Sequence, residues 1–169
     1  MSQATTYVGV DNATSGALAV LPPNGIPILY PFVTLPKVPK QSTELDDAWF
    51  YSTCQSIVAE HGPVRFVVER AQKFSPGILA LCSTWGCYGA IRMCLRGGLR
   101  APFIPIDPKT WQAVMFRGML SGDSKDKSIR RAKELYPNIS LQKTLRSTTP
   151  NDGMSDALLI AHYGKLINL

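Results

Sequence analysis

The sequence predicts an α/β fold in which a five-stranded mixed sheet is flanked by helices on both faces. Three observations predict it. Three short apolar runs near the N-terminus follow one another with only turn signals between them, which describes an antiparallel meander. Two further β-branched runs are each preceded by a helical segment, the alternation that builds parallel pairing. The first and fourth runs also carry an acid at the end, at the strand edge where ligand sites form in open α/β sheets.

The elements follow in order. "TTYVGVD" (Thr5 to Asp11) reads as the first strand and ends on Asp11. "SGALAVLPPNG" (Ser15 to Gly25) supplies the second, closed by a Pro-Asn-Gly turn signal. "IPILYPFVTL" (Ile26 to Leu35) is the third, and its prolines point to an edge position. "PKVPKQST" is a loop whose Ser42 or Thr43 can cap the helix "ELDDAWFYSTCQSIVAEHG", with acids in its first turn and Gly62 beyond its end. "VRFVVER" has the pattern of a buried strand and carries Glu69 at its end. After the loop "AQKFSPG" comes the long apolar helix "ILALCSTWGCYGAIRMCLRGG", and then a fifth strand, "APFIPID". "PKTWQAVMF" begins a short helix with Pro108 at its first position. "KDKSIRRAKELYP" is a basic amphipathic helix with Ser124 as its cap, and "MSDALLIAHYGKLI" is the last helix.

A chain of 169 residues without repeats or an interdomain linker fits a single domain spanning residues 1–169. Hydrophobic residues make up 45% and charged ones 18%, a globular balance. No apolar stretch is expected to reach the ~20 residues of a membrane span, so no membrane partner is expected. The start, "MSQATTYVGVD", lacks the basic and apolar parts of a secretory signal. Cys54, Cys82, Cys87 and Cys94 show no metal or redox spacing and read as small hydrophobes in a reducing compartment. A cytoplasmic location is expected, or an organellar stroma or nucleoid had a transit peptide been removed.

The net charge of +6 is uneven. Residues 1–90 hold 5 Lys/Arg against 6 Asp/Glu, and residues 91–169 hold 13 against 6. Such a basic half suits a polyanion, most simply nucleic acid.

Within that basic half, two acids sit four residues apart where the last helix begins. Thr149 as N-cap with Pro150 at the first position and Asp152 at the third would explain Asp152 by capping alone. It does not explain Asp156, whose helical period leads to Leu159, Ile160 and Tyr163, an apolar face. A carboxylate there, close to another, needs a cation or a shared proton. Asp11 and Glu69 have ordinary alternatives as a turn residue and as a partner of Arg65 or Arg70. Together, four carboxylates from two strand ends and one helix start make an all-oxygen cluster suited to Mg²⁺ or Mn²⁺. Two such ions about 4 Å apart can activate water and stabilise the leaving oxygen of a phosphodiester.

The blocks "VGVDNATSGALAV", "FVVERAQKF" and "DGMSDALLIAHYGK" resemble the RuvC-type Holliday junction resolvases of the RNase H-like superfamily. Within that family "ERAQ", "PIDPKTWQA", "SKDKSIRRAKELYP" and "ALLIAHYGK" are most similar to the monokaryotic-chloroplast resolvases of plants and related bacterial and phage proteins. The resemblance spans Tyr7 to Lys165. It implies an RNase H-like fold and a homodimer that binds four-way junction DNA and makes paired symmetric nicks, using two Mg²⁺ ions held by Asp11, Glu69, Asp152 and Asp156. Asp152 departs from the pattern: the terminal acids here are four apart rather than three, with Gly153 between, which leaves it a direct ligand or a water-positioning base.

The resemblance also points to Lys125 as a catalytic lysine facing the phosphate, against its reading as a solvated helix start. It points to Phe74 as an aromatic that stacks on an unpaired base, worth roughly 1–3 kcal/mol, or packs beneath its loop. Lys37, Lys40, Gln72, Lys73, Lys109, Arg130, Arg131, Lys143 and Arg146 are the candidate DNA contacts. Gly86, Gly89 and Ala90 permit close helix approach, and the equivalent helix in RuvC-like proteins lies at the dimer interface. Two alternatives use the same residues: an RNase H-like nuclease acting on RNA or flap and branched DNA, and a non-catalytic junction-binding protein.

Overall fold

The computed structural model of the chain describes residues 4–36, 38, 39, 41, 43–73 and 77–169. Lys37, Lys40, Ser42 and Phe74 therefore lie outside the described residues. Strands β1 (Thr6–Val10), β2 (Ala17–Leu21) and β3 (Ile28–Pro31) form the expected meander. Helix α1 (Asp47–His61) leads to β4 (Val64–Glu69). Helix α2 (Ile78–Arg92) continues as a π-helical stretch, Met93–Gly98, before β5 (Phe103–Ile106). Helices α3 (Pro108–Met115), α4 (Ser124–Leu135) and α5 (Asp152–Leu166) complete the chain.

The strand order is β3-β2-β1-β4-β5. β1 runs parallel to β4, and β4 parallel to β5, so their C-terminal ends share one edge of the sheet. The proline-bearing β3 sits at an outer edge, as its composition requires.

Strand alternation divides the core in two. Val8, Val10, Phe66 and Val68 face Phe50 and Ile57 of α1 and Tyr88 and Ile91 of α2. Tyr7 and Val67 face the other way, onto Trp111 of α3, Ala132 of α4 and the length of α5. Helices thus cover both faces, as expected. α5 is apolar around most of its circumference and is buried along most of its length, as a central helix must be.

The contact that places α5 is unusually close. A Cβ on Gly9 would collide with the Ala157 carbonyl and the Ala161 amide, so only glycine lets the helix backbone rest on β1. Further along α5, Gly164 also packs closely, there against the side chains of Val67 and Tyr7.

Helix starts differ from the sequence expectation at three places. α1 is capped by Asp46, which accepts from the Trp49 amide at 2.9 Å, and not by Thr43. α4 is capped by Asp123 rather than Ser124, which is the first helical residue. α5 is capped by Asn151, whose side chain accepts from the Met154 amide at 2.9 Å; Thr149 lies in the preceding loop and Asp152 opens the helix. In each case an Asx side chain just before the packed segment takes the role, in keeping with the strong N-cap preference of Asp and Asn.

The apolar helix has the extent expected, Ile78–Gly98. Ile78–Gly98 spans 21 residues at a mean hydropathy of 1.4, enough in length and composition for a membrane span, which corrects the expectation that no stretch approaches that size. One side packs on the sheet through Cys87, Tyr88, Ile91 and Leu95, while Ile78, Leu79 and Met93 are exposed. Of its cysteines, Cys87 is buried, Cys94 half-buried and Cys82 exposed, so the small-hydrophobe reading fails for Cys82.

Gly9→Ala is expected to destabilise the fold by about 3 kcal/mol or to prevent folding, since neither backbone can yield without moving the sheet. Urea unfolding of the variant measures this, and an unchanged midpoint would contradict the packing described.

Candidate active site

Asp11 follows the last residue of β1, and Glu69 is the last residue of β4. Their parallel neighbours put both carboxylates at one sheet edge, where Asn12 ties the strand ends together by donating to the Glu69 carbonyl at 2.9 Å. α5 enters the same edge with its first two turns. Gly153 lies close enough that a Cβ there would meet Asp11 Oδ2 at 3.0 Å. Asp152 and Asp156 therefore open into the cleft that Asp11 and Glu69 line, a space of about 540 Å³ that also reaches Lys125.

Each carboxylate has a different neighbour. Asp11 accepts from the Ala13 amide at 3.2 Å, and its carboxyl is close enough to Glu69 to share a proton with it. Glu69 accepts from the indole Nε1 of the buried Trp111 at 2.9 Å. Asp156 accepts a short hydrogen bond from the fully buried Ser128 of α4. Asp152 pairs with Lys125, Nζ to Oδ2 at 2.7 Å. The ordinary role of Glu69 as an ion-pair partner does not hold, because Arg70 turns to Asp107 at 3.7 Å.

The electrostatics follow from burial. Desolvation, then the charge of Glu69, pushes Asp11 from its usual 3.8 up to about 8. Glu69 rises from 4.5 to about 7, mainly by burial, opposed by the Trp111 hydrogen bond and reinforced by the charge of Asp156. Asp156 rises to about 7 for the same reason, burial first and the Asp11 charge second, against the Ser128 hydrogen bond. Partial burial would raise Asp152 too, but the hydrogen bond and charge of Lys125 outweigh it and hold this acid below its usual range. One lysine thus neutralises one acid, and three carboxyls share an unbalanced, desolvated space.

The donor set is all oxygen, the chemistry that hard divalent cations select. Among the described residues, no three such groups converge to the spacing of one ready ligand set. Asp11 and Glu69 are paired, Asp152 is held by Lys125 and Asp156 by Ser128. The fit to a cation rests on the buried, like-charged carboxyls, whose mutual repulsion a cation would relieve.

The remaining sequence candidates lie at different distances from this cleft. Gln72 lines it. Lys73 and Lys109 line a second cleft beside it. Arg130 is on the outer side of α4, near Asp126 and Ile129. Arg131 uses its guanidinium to hold α3 and its exit, donating to the Met115 carbonyl at 2.7 Å and the Arg117 carbonyl at 3.0 Å. Lys143 and Arg146 are exposed in the loop before α5. Sequence reasoning missed Asn12, Trp111 and Ser128. Ser128 had a readable signal, since it sits three residues after Lys125 and so on the same helix face.

A raised carboxyl pKa makes the folded state bind more protons than the unfolded chain, so stability falls as pH rises between the two values. For Asp11 that window runs from 3.8 to about 8. In metal-free buffer Asp11→Asn is therefore expected to match the parent near pH 4 and to exceed it in stability near pH 8. Urea melts at the two pH values check this; a variant equal to or weaker than the parent near pH 8 would contradict the electrostatics.

No protein-family model matches the chain, and no curated protein matches it in sequence. The narrower likeness to plant chloroplast resolvases therefore has no sequence match behind it. Solved structures do match. Thermus thermophilus RuvC in complex with a Holliday junction substrate aligns with a TM-score of 0.61 at 12% identity, over 97% of this chain and 96% of that one. A second structure of Thermus thermophilus RuvC aligns with a TM-score of 0.57 at 12% identity, over 96% of each chain. At this identity the likeness establishes the fold, which is α/β of the RNase H-like type.

Proposed function

We propose that the chain is a metal-dependent DNA endonuclease that resolves four-way junctions. The observation that carries the reading is the meeting of Asp11, Glu69, Asp152 and Asp156 with Lys125 in one cleft of an RNase H-like sheet. The alignment over nearly the full length with a resolvase solved on its junction supports junction DNA as the substrate. A protein that only bound DNA would gain nothing from desolvated negative charge facing phosphate.

The residues divide the work. Asp11, Glu69 and Asp156 would hold divalent cations, Mg²⁺ with Mn²⁺ able to substitute, with Asp152 as a further ligand or as the group that positions water. Bound there, two such ions would supply Lewis acidity to ready a water for attack on phosphorus and steady the leaving oxygen. Trp111 fixes the orientation of Glu69 by its indole hydrogen bond, and Ser128 does the same for Asp156. Lys125 has an exposed ammonium at the rim, placed to meet the negative charge that builds on the phosphate. The start of α5 adds its positive dipole end beside the same point. Lys73, Lys109, Lys143 and Arg146 would follow the phosphate backbone, with Arg130 as an outer contact and Lys37 and Lys40 as further candidates by charge alone.

Two cuts related by two-fold symmetry need two such sites, which a homodimer supplies. The open side of α2 suits that contact. Gly86 leaves room where a Cβ would meet nothing within 4 Å, and Leu79 and Met93, seven residues to either side of it, stand exposed on the same stripe of the helix. A single nuclease domain acting in the cytoplasm completes the reading.

Cleavage of a synthetic four-way junction beside a linear duplex of the same sequence, in Mg²⁺, tests it. The expected result is paired, ligatable nicks in the junction alone, with Asp11→Asn reducing cutting to background while binding is kept or tightened. Equal cutting of both substrates would remove the resolvase reading; undiminished cutting by Asp11→Asn would remove the site assignment.

A further inference from the structure

A second cleft, about 810 Å³, lies beside the first and shares Gln72 and Gln112 with it. Of its lining, only Lys73 and Lys109 have a role above, as phosphate contacts. One wall is a face of α2 bearing Trp85, Tyr88 and Arg92, at the helical spacings that place side chains in a row. The facing wall combines the segment after β4, with Arg70 and Lys73, and the start of α3, with Lys109.

Trp85 is the unusual residue. Its indole Nε1 donates to the Gln72 carbonyl at 3.1 Å, so the polar edge is satisfied and the ring is tethered. Yet the side chain stays 46% exposed at the mouth of the cleft. Tyr88 braces it edge-to-face, with centroids 6.1 Å apart, and the Arg92 guanidinium covers the Tyr88 ring at 5.7 Å. A fixed aromatic plane left open to solvent is a stacking platform that already has its orientation.

Charge narrows the occupant. Among the described residues, Arg70, Lys73, Arg92 and Lys109 line the cleft against one acid, Asp107, which Arg70 takes at 3.7 Å. The first cleft is anionic and the second cationic, and they touch along the two glutamines. An aromatic plane set among cations suits a nucleotide, because every base offers a π face and every link a phosphate. The glutamine amides on the shared wall add donors and acceptors of the kind that read a base edge. A strand whose phosphate entered the first cleft would carry an adjoining nucleotide over the second.

We propose that this cleft receives an unpaired nucleobase next to the cut phosphate, stacked on Trp85, and thereby sets which nucleotides flank the cut. The proposal rests on the endonuclease reading and deepens it.

2-Aminopurine, whose fluorescence falls on stacking, tests it when placed in turn at each position flanking the cut in a synthetic junction. The same probe in a short single-stranded oligonucleotide tests the cleft without the junction. With Asp11→Asn protein keeping the DNA intact, one flanking position and the oligonucleotide are both expected to show a change in signal. Adding Trp85→Ala should abolish that change and weaken binding about ten-fold, the loss of one stack. Trp85→Phe should restore most of both, and thermal melts should show the variants folded. Unchanged signal and affinity in Trp85→Ala on both probes would overturn the proposal. So would weaker binding with no Trp85-dependent signal, which would mark a merely structural residue. A Trp85-dependent signal on the oligonucleotide from a protein that does not prefer junctions would uphold the cleft and overturn the resolvase reading.

Discussion

Gly9 lets the backbone of α5 rest on the backbone of β1, and the rest of the cleft is built on that contact. A helix held a side chain's width further away would carry Asp152 and Asp156 clear of Asp11. Because interiors are packed as densely as crystals, the two backbones fix each other's position to within a fraction of an ångström. The parallel pairing of β1 with β4 then does for Glu69 what the helix contact does for the last two acids. Two unrelated packing rules, strand register and helix-on-strand approach, converge on one sheet edge.

That convergence works against stability. Three carboxyls are held where water solvates their charge poorly, and among the described residues only Asp152 is paired with a lysine. Their protons are retained toward neutral pH because burial outweighs the hydrogen bonds from Trp111 and Ser128. Desolvation of this kind lowers the stability of the free protein, a cost that the proposed cation would relieve. The second cleft shows the complementary choice, with cations and an exposed indole where solvent alone would favour neither. Side by side, the two give the edge an anionic centre with a cationic flank, the pattern a phosphate chain crossing it would match.

Much of this was legible in the sequence because it obeys simple periods. The strands followed from alternation and turn residues, the sheet class from the order of elements, and the anomaly of Asp156 from its position on an apolar helical face. What could not be read depends on distance across the fold. Trp111 and Ser128 look like ordinary core and helix residues until α3 and α4 dock beside Glu69 and Asp156. The caps moved to Asp46, Asp123 and Asn151 because several residues near each start are able to cap, and packing chooses where the helix begins. Arg131 reads as a DNA contact by charge alone, whereas its guanidinium is committed to carbonyls of α3 and its exit. Trp85 gave no signal, since an aromatic in an apolar helix is usually core.

If these carboxyls form the proposed cation site, a metal must displace their protons. Calorimetric titration of Mg²⁺ into the free protein near pH 6.5, in two buffers of different ionisation enthalpy, tests it directly. The expected result is binding coupled to proton release, with the released protons reduced in Asp11→Asn. Binding with no proton release, or no binding at all, would contradict it.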